Sequence, residues 1–386
     1  MSEPELEQNA DVEHRVTPLE LFFDLAFVFG FTQVTTLLVD DPSWGGIFRG
    51  MLVLAALWWA WTGFAWFTST LDVDEGGVRL AMLAAMAAVF AAALAVPGAF
   101  GDDALLFGFA YLFVRVLHIV LYAIVSKDDP DLRGALLRLA PSELLGALLL
   151  VVAGLLDGDA QIAAWVVALA VDYLGPAFNK LDGWRIAPEH FAERHGLIIL
   201  IALGESLIAI GVGAGFELVP RVMIAAGLGL VVVSALWWLY FDVAAIFQRM
   251  RLVEAGGVEQ VREALASFSY LHLPMVAGIV LFAFGLEDTL HHVDDTLATV
   301  PAAALCGGAA LYLLGHVVSL FRATRRVFRR RTIGGLALLA LIPVATAIPA
   351  LAALALVGAV CSSVVAYEAI AHREHRVHVR HPELAD

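Results

Sequence analysis

The sequence predicts an all-α, polytopic integral membrane protein of about twelve transmembrane helices, arranged as two parallel six-helix repeats. Three observations carry that expectation. The 386 residues are 61% hydrophobic and only 16% charged, with a mean hydropathy of +0.83, against roughly 45–50% and about 25% in soluble domains. Apolar runs near the length that spans roughly 30 Å of hydrocarbon recur along the whole chain. Lysine and arginine fall almost entirely on alternate loops, the asymmetry that sets orientation in a membrane.

Residues 1–16 are an acidic segment (Glu3, Glu5, Glu7, Asp11, Glu13) without the positive stretch that opens a signal peptide. The run that follows is too long for a signal core, so it reads as a retained first span. Spans are expected near 17–39, 47–70, 78–99, 104–126, 133–156 and 160–179. The second half gives 190–214, 221–246, 261–286, 297–320, 332–347 and 349–370. The last two come from one uncharged run, Thr332 to Tyr367. As a single helix it would measure about 54 Å at 1.5 Å per residue, and Pro343 and Pro349 supply a break, so a hairpin of two spans is expected. Of the 23 lysines and arginines, only Arg49 and Arg221 fall on the opposite side and Arg115 inside a span. The positive-inside rule then places both termini in the cytoplasm. The outer loops carry Asp40, Asp41, Asp102, Asp103, Asp157, Asp159, Glu217, Glu287, Asp288, Asp294 and Asp295.

The net charge of −15 argues against a nucleic-acid partner. Cys306 and Cys361 both lie in apolar runs, which leaves no disulfide framework and no zinc-type pair. No cofactor and no metal is expected; the partners are the lipid bilayer and, with it, a small solute and a coupling ion.

Two halves show through the sequence, 17–180 and 181–371, followed by a His/Arg-rich tail, 372–386. Ala-Leu-Trp-Trp occurs at 56–59 and again at 235–238. The spacing Glu20 to Thr32 equals that of Glu193 to Glu205. Val-Arg opens the third and the ninth spans (78–79 and 261–262), and His118 and His316 sit alike in spans four and ten. Six spans per repeat preserve orientation, so the halves would be related by an axis along the membrane normal.

Thr17-Pro-Leu-Glu-Leu-Phe-Phe-Asp-Leu-Ala-Phe-Val-Phe-Gly-Phe-Thr-Gln33 resembles the opening motif of the low temperature requirement A family. His190-Phe-Ala-Glu-Arg-His-Gly-Leu197 with Leu203-Gly-Glu-Ser206 resembles its central motif. The resemblance implies a bacterial multi-pass membrane protein, linked by name to growth in the cold. A fainter likeness joins Phe22-Phe-Asp24 and the six-plus-six layout to the potassium-channel family with a first-helix Phe-Ser-Asp signature; here Phe23 stands in place of the serine.

Ionisable groups at mid-bilayer cost about 2.5–3.5 kcal/mol on insertion scales, so each is a candidate for a pathway. Counting 1.5 Å per residue from the span starts puts Arg115 about 16 Å deep, Asp172 about 18 Å, Glu143 about 15 Å and Glu205 about 22 Å. One cation among three acids suggests that Arg115 pairs with one acid while another titrates. Glu205 is the expected partner, one member from each half. His118 sits near Arg115, and Ser206 follows Glu205. Glu20 and Asp24 are one turn apart at the start of span one, where a helix dipole also favours acids, with Gln33 on the far side. Glu193, Arg194 and His195, beside Glu189 and His190, crowd the start of span seven as a gate or a solvated end. Asp242 lies near the inner end of span eight. Trp58, Trp59, Trp61 and Trp66 read as interface anchors and packing. Other patterns carry less: Gly211-Val-Gly-Ala-Gly215 reads as close helix packing, and His372, His375, His378 and His381 as a polar tail. Three functions follow: a proton- or cation-coupled secondary transporter with its site lined by spans one, four and seven, a cation channel, and a membrane-embedded lipid-handling enzyme.

Overall fold

The computed structural model describes residues 16–70, 76–215 and 219–371; most of the acidic N-terminal segment, Glu217 and the histidines of the tail lie outside them. The described residues form helices throughout, with one isolated β-bridge between Thr296 and Pro349. The first half contains α1 (Pro18–Asp40), α2 (Trp44–Thr68), α3 (Gly76–Leu94), α4 (Ala104–Val125), α5 (Pro130–Ala153) and α6 (Gly158–Phe178). The second half opens with α7 (Pro188–Ala214) and α8 (Pro220–Glu254), the latter passing through a π turn at Tyr240–Ala244. Then come α9 (Gly257–His291), with a π segment at Ala264–Tyr270, α10 (Thr299–Thr324), α11 (Arg329–Ala345) and α12 (Ala350–Ala371).

Eleven of these are long and apolar enough to cross a membrane. The remaining one, α11, has 17 residues, or about 25 Å at 1.5 Å per residue. The long apolar run is broken as its prolines require: α11 ends at Ala345 and α12 begins at Ala350. The loop before α10 caps that hairpin, with the Ala350 amide donating to the Asp295 carbonyl at 2.8 Å.

Local chemistry explains the helix starts. Proline opens α1, α5, α7 and α8, where its missing N–H costs nothing. Thr17 and Glu20 form a reciprocal capping box on α1. Ser43 caps α2 and Asp129 caps α5 through side-chain oxygens.

The centre is built by α2 and α9, whose most apolar stretches are 78% and 72% buried, against 28% for α3. Each helix packs on its chain neighbour from α3 to α6 and from α9 to α12, while α1 and α7 meet each other and both touch α9. Glycines let α9 and α10 come very close: a Cβ on Gly278 would lie 2.6 Å from the Gly308 carbonyl oxygen, and one on Gly285 2.4 Å from the Leu305 nitrogen. Small residues serve this purpose where helices gain little from the hydrophobic effect.

Candidate functional site

The first cluster joins the two halves, between α1 and α7. Arg194 donates to Glu20 Oε1 at 2.9 Å, to Asp24 Oδ1 at 2.5 Å and to Thr68 Oγ1 at 2.7 Å. His190 Nε2 donates to Glu20 Oε2 at 3.1 Å, and Trp61 Nε1 to Asp24 Oδ1 at 2.9 Å. Glu20 therefore caps α1 and pairs with α7 at once, and at 1% exposed it does not reach solvent. Three buried atoms here have no hydrogen-bond partner among the described residues: Asp24 Oδ2, Arg194 Nε and His190 Nδ1. Beside the cluster, His195 donates through Nδ1 to the Phe191 carbonyl at 2.8 Å. Its ring is walled by Trp61, Phe191, Phe268 and His272 at 4.4 to 5.3 Å, and its Nε2 has no partner among the described residues.

The second cluster lies mid-helix in the first half. Arg115 of α4 reaches Asp172 of α6 at 2.9 Å and Glu143 of α5 at 3.2 Å, and Tyr111 donates to Asp172 at 2.9 Å. All three charged groups are at most 4% exposed. His118 is held between Glu143 Oε2 at 3.2 Å through Nδ1 and the Gly63 carbonyl at 3.0 Å through Nε2. A carbonyl oxygen only accepts, so Nε2 carries a hydrogen. The other contact then needs a second proton, on Nδ1 or on Glu143. His118 and Glu143 thus share one proton beyond the neutral imidazole and ionised carboxylate. A cavity of about 60 Å³ opens on this cluster, with Thr62, Arg115, His118 and Glu143 as its polar floor. Trp59, Trp66 and Trp184 wall it, while Val261 and Leu265 of α9 contribute from the second half. Thr62 Oγ1 and Arg115 Nε, both at the cavity, are without partners among the described residues.

Several expectations change here. Arg115 takes both neighbouring acids rather than one, and the pair Arg115–Glu205 does not form. Short loops make α4, α5 and α6 adjacent, so the local carboxylates reach the guanidinium first. Glu205 instead accepts a 2.6 Å hydrogen bond from Thr32 across the α1–α7 contact. The cavity is lined from α2, α4, α5, α6 and α9 and from the loop after α6, so of spans one, four and seven only the fourth borders it. Of the tryptophans, Trp58 and Trp61 are fully buried and pack in the interior rather than anchoring at an interface. Trp58 Nε1 donates to the Ser269 carbonyl at 2.7 Å and Trp66 Nε1 to Ser269 Oγ at 2.9 Å.

The remaining candidates scatter. Ser206 is buried with no partner for its hydroxyl among the described residues, and Gln33 is half-buried beside Thr32. Glu193 is exposed and accepts from the Val16 amide at 3.4 Å. Asp242 is buried within the π turn of α8.

The sequence reading missed a third set, in the second half. Arg331 of α11 grips Glu368 of α12 by two bonds of 2.8 Å and donates to His316 Nδ1 at 2.8 Å. It missed Tyr240 and His272 as well, joined at 2.9 Å, with His272 Nδ1 donating to the Ser267 carbonyl at 2.9 Å. Tyr240 and Ser267 both come from π segments, which often occur at functional sites. The signal for Arg331 was hidden in a run of arginines read only as loop charge.

An all-helical chain with apolar spans on every side and ionised groups sealed among them is a polytopic membrane protein with an intramembrane polar site. The model of the family described as bacterial low temperature requirement A protein (LtrA) matches residues 15–366, and the chain belongs to that family. An uncharacterized protein of Rhizobium meliloti (strain 1021) is 31% identical over 335 residues, covering 83% of this chain and 80% of its own. No solved structure matches the chain.

Proposed function

We propose that this LtrA protein is a secondary transporter that couples a small polar solute to a proton or cation, in the bacterial inner membrane with both termini cytoplasmic. The observation that supports this best is the Arg115 cluster beside its cavity. An arginine, two carboxylates and a neutral imidazole sum to one negative charge, and the two acceptors around His118 call for the proton that cancels it. Buried ionisable groups of this kind mark proton relays and ion pathways. The aromatic walls and the unpartnered Thr62 Oγ1 and Arg115 Nε suit a small solute with polar edges.

The proposed architecture is two parallel repeats, 17–180 and 181–371. Packing order supports it: in each half the first helix meets the second and third, the second meets the fourth and sixth, and each later helix meets the next. Thr32 touches Glu205, the residue at its own repeat position, as residues beside a two-fold axis would. In this reading the Arg194 cluster joins the halves in this conformation and the Arg115 cluster receives the solute.

Reconstitution in liposomes with a trapped pH-sensitive dye and a panel of small solutes tests the reading. Proton flux that appears with one solute, and is lost in Glu143→Gln while the variant stays folded, is the expected result. Unitary currents in a planar bilayer that no solute alters would select a cation channel instead. The Phe22-Phe-Asp24 motif gives that alternative little support, because Asp24 is tied to Arg194 and Trp61.

A further inference from the structure

Away from the Arg194 and Arg115 clusters, the ends of α8, α10 and α12 and the start of α11 enclose a cavity of about 800 Å³. Five arginines line it, Arg251, Arg326, Arg329, Arg330 and Arg331, against two carboxylates, Glu254 and Glu368. The positive-inside rule explains arginines in this loop but not their convergence on one cavity, nor their place on the helix. Arg329, Arg330 and Arg331 occupy the first turn of α11, where the helix dipole is positive and cations are unfavourable. Phe328 stands in the cap position and offers no side-chain acceptor to the amides of that turn. Arg331 is neutralised by Glu368 and Arg330 lies over the Tyr367 ring at 4.3 Å. Arg326 and Arg329 are exposed and pair with no carboxylate among the described residues. Residues 372–386 add as many arginines as carboxylates, so that segment brings no surplus of negative charge.

An anion between these guanidinium groups and the first amides of α11 would satisfy both at once. Val243, Phe247 and Met250 of α8 give the cavity an apolar wall. We propose that this cavity binds a phosphate group, and that its occupant is the head group of an anionic phospholipid whose chains lie along the apolar wall. Basic pockets between transmembrane helices bind acidic lipid head groups by this chemistry.

The test uses the purified full-length protein in neutral detergent, titrated with short-chain phosphatidylglycerol, phosphatidylcholine or inorganic phosphate, and read by calorimetry. Phosphatidylglycerol is expected to bind at least tenfold more tightly than phosphatidylcholine. Arg326→Gln with Arg329→Gln should weaken it roughly thirtyfold, from about 1 kcal/mol per basic residue. Lys127→Gln with Arg133→Gln, an equal loss of charge at exposed positions around the start of α5, should leave affinity unchanged. Saturation by inorganic phosphate with no response to phosphatidylglycerol keeps the anion site and assigns it to a soluble phosphate. Equal binding of the two lipids with no response to phosphate overturns the proposal, and so does an equal effect of the two double variants.

Discussion

Replacing Arg194 by glutamine removes the guanidinium that Glu20 and Asp24 share. Both carboxylates are at most 1% exposed, so neither can turn to water for its lost partner. Removing one member of such a buried pair costs about 3–5 kcal/mol. Asp24→Asn acts differently. Its remaining carbonyl oxygen still accepts from Trp61 and Arg194, now without the charge that roughly doubles such bonds, a loss of about 1–1.5 kcal/mol. At roughly 2 °C per kcal/mol for a large chain, Arg194→Gln should melt about 6–10 °C lower and Asp24→Asn about 2–3 °C lower. Tryptophan emission of the detergent-purified protein, at one fixed heating rate, reads the difference, since Trp61 is bonded into the cluster. Combining Arg194→Met, Glu20→Gln and Asp24→Asn should recover most of the loss, because no buried charge is left unpaired. If Arg194→Gln melts no lower than Asp24→Asn, the cluster is not the ion-paired junction described above.

Three further outcomes are expected. Arg331→Leu alone should destabilise by about 1–3 kcal/mol, and Arg331→Leu with Glu368→Leu should lie close to the parent; thermal unfolding that ranks the two alike would refute the pairing. Gly63→Ala places a methyl 3.1 Å from His118 Nε2 and 3.2 Å from Arg115, so overpacking should cost about 1–3 kcal/mol. It should also reduce solute-dependent proton flux, and an unchanged flux would detach Gly63 from the site. A C-terminal fluorescent reporter should light up only in the cytoplasm; a reporter active only in the periplasm would reverse the topology.

The break of Thr332–Tyr367 into a hairpin was legible because helix length and proline placement are local constraints. The π segments at 240–244 and 264–270 were not, since widening one turn leaves hydropathy unchanged while re-aiming Tyr240 and Ser267. Arg115 was legible as a buried charge, but its partners were misread. Repeat logic pointed across the halves to Glu205, whereas Arg115, Glu143 and Asp172 lie well inside α4, α5 and α6, which are consecutive in the chain. Three adjacent spans, each with a charge at membrane depth, were the signal. His190 was visible in the crowded start of α7, yet its bond to Glu20 bridges 170 positions, which no spacing rule on one helix can show.

The two arginine clusters have the same composition and opposite connectivity. Arg194 draws its carboxylates from α1 while belonging to α7, so separating the two helices breaks every one of its ion pairs. Arg115 draws its carboxylates from α5 and α6 of its own half, so the same motion leaves its pairs intact and shifts only the α9 wall formed by Val261 and Leu265. Protonation differs in parallel. His190 needs one hydrogen, on Nε2, and keeps Nδ1 without a partner among the described residues, whereas His118 lies between two acceptors and shares a second proton with Glu143. A transporter needs one element that survives the change of access and holds its cargo, and another that is made or broken by it. In the proposed mechanism the Arg115 cluster has the connectivity of the first and the Arg194 cluster that of the second.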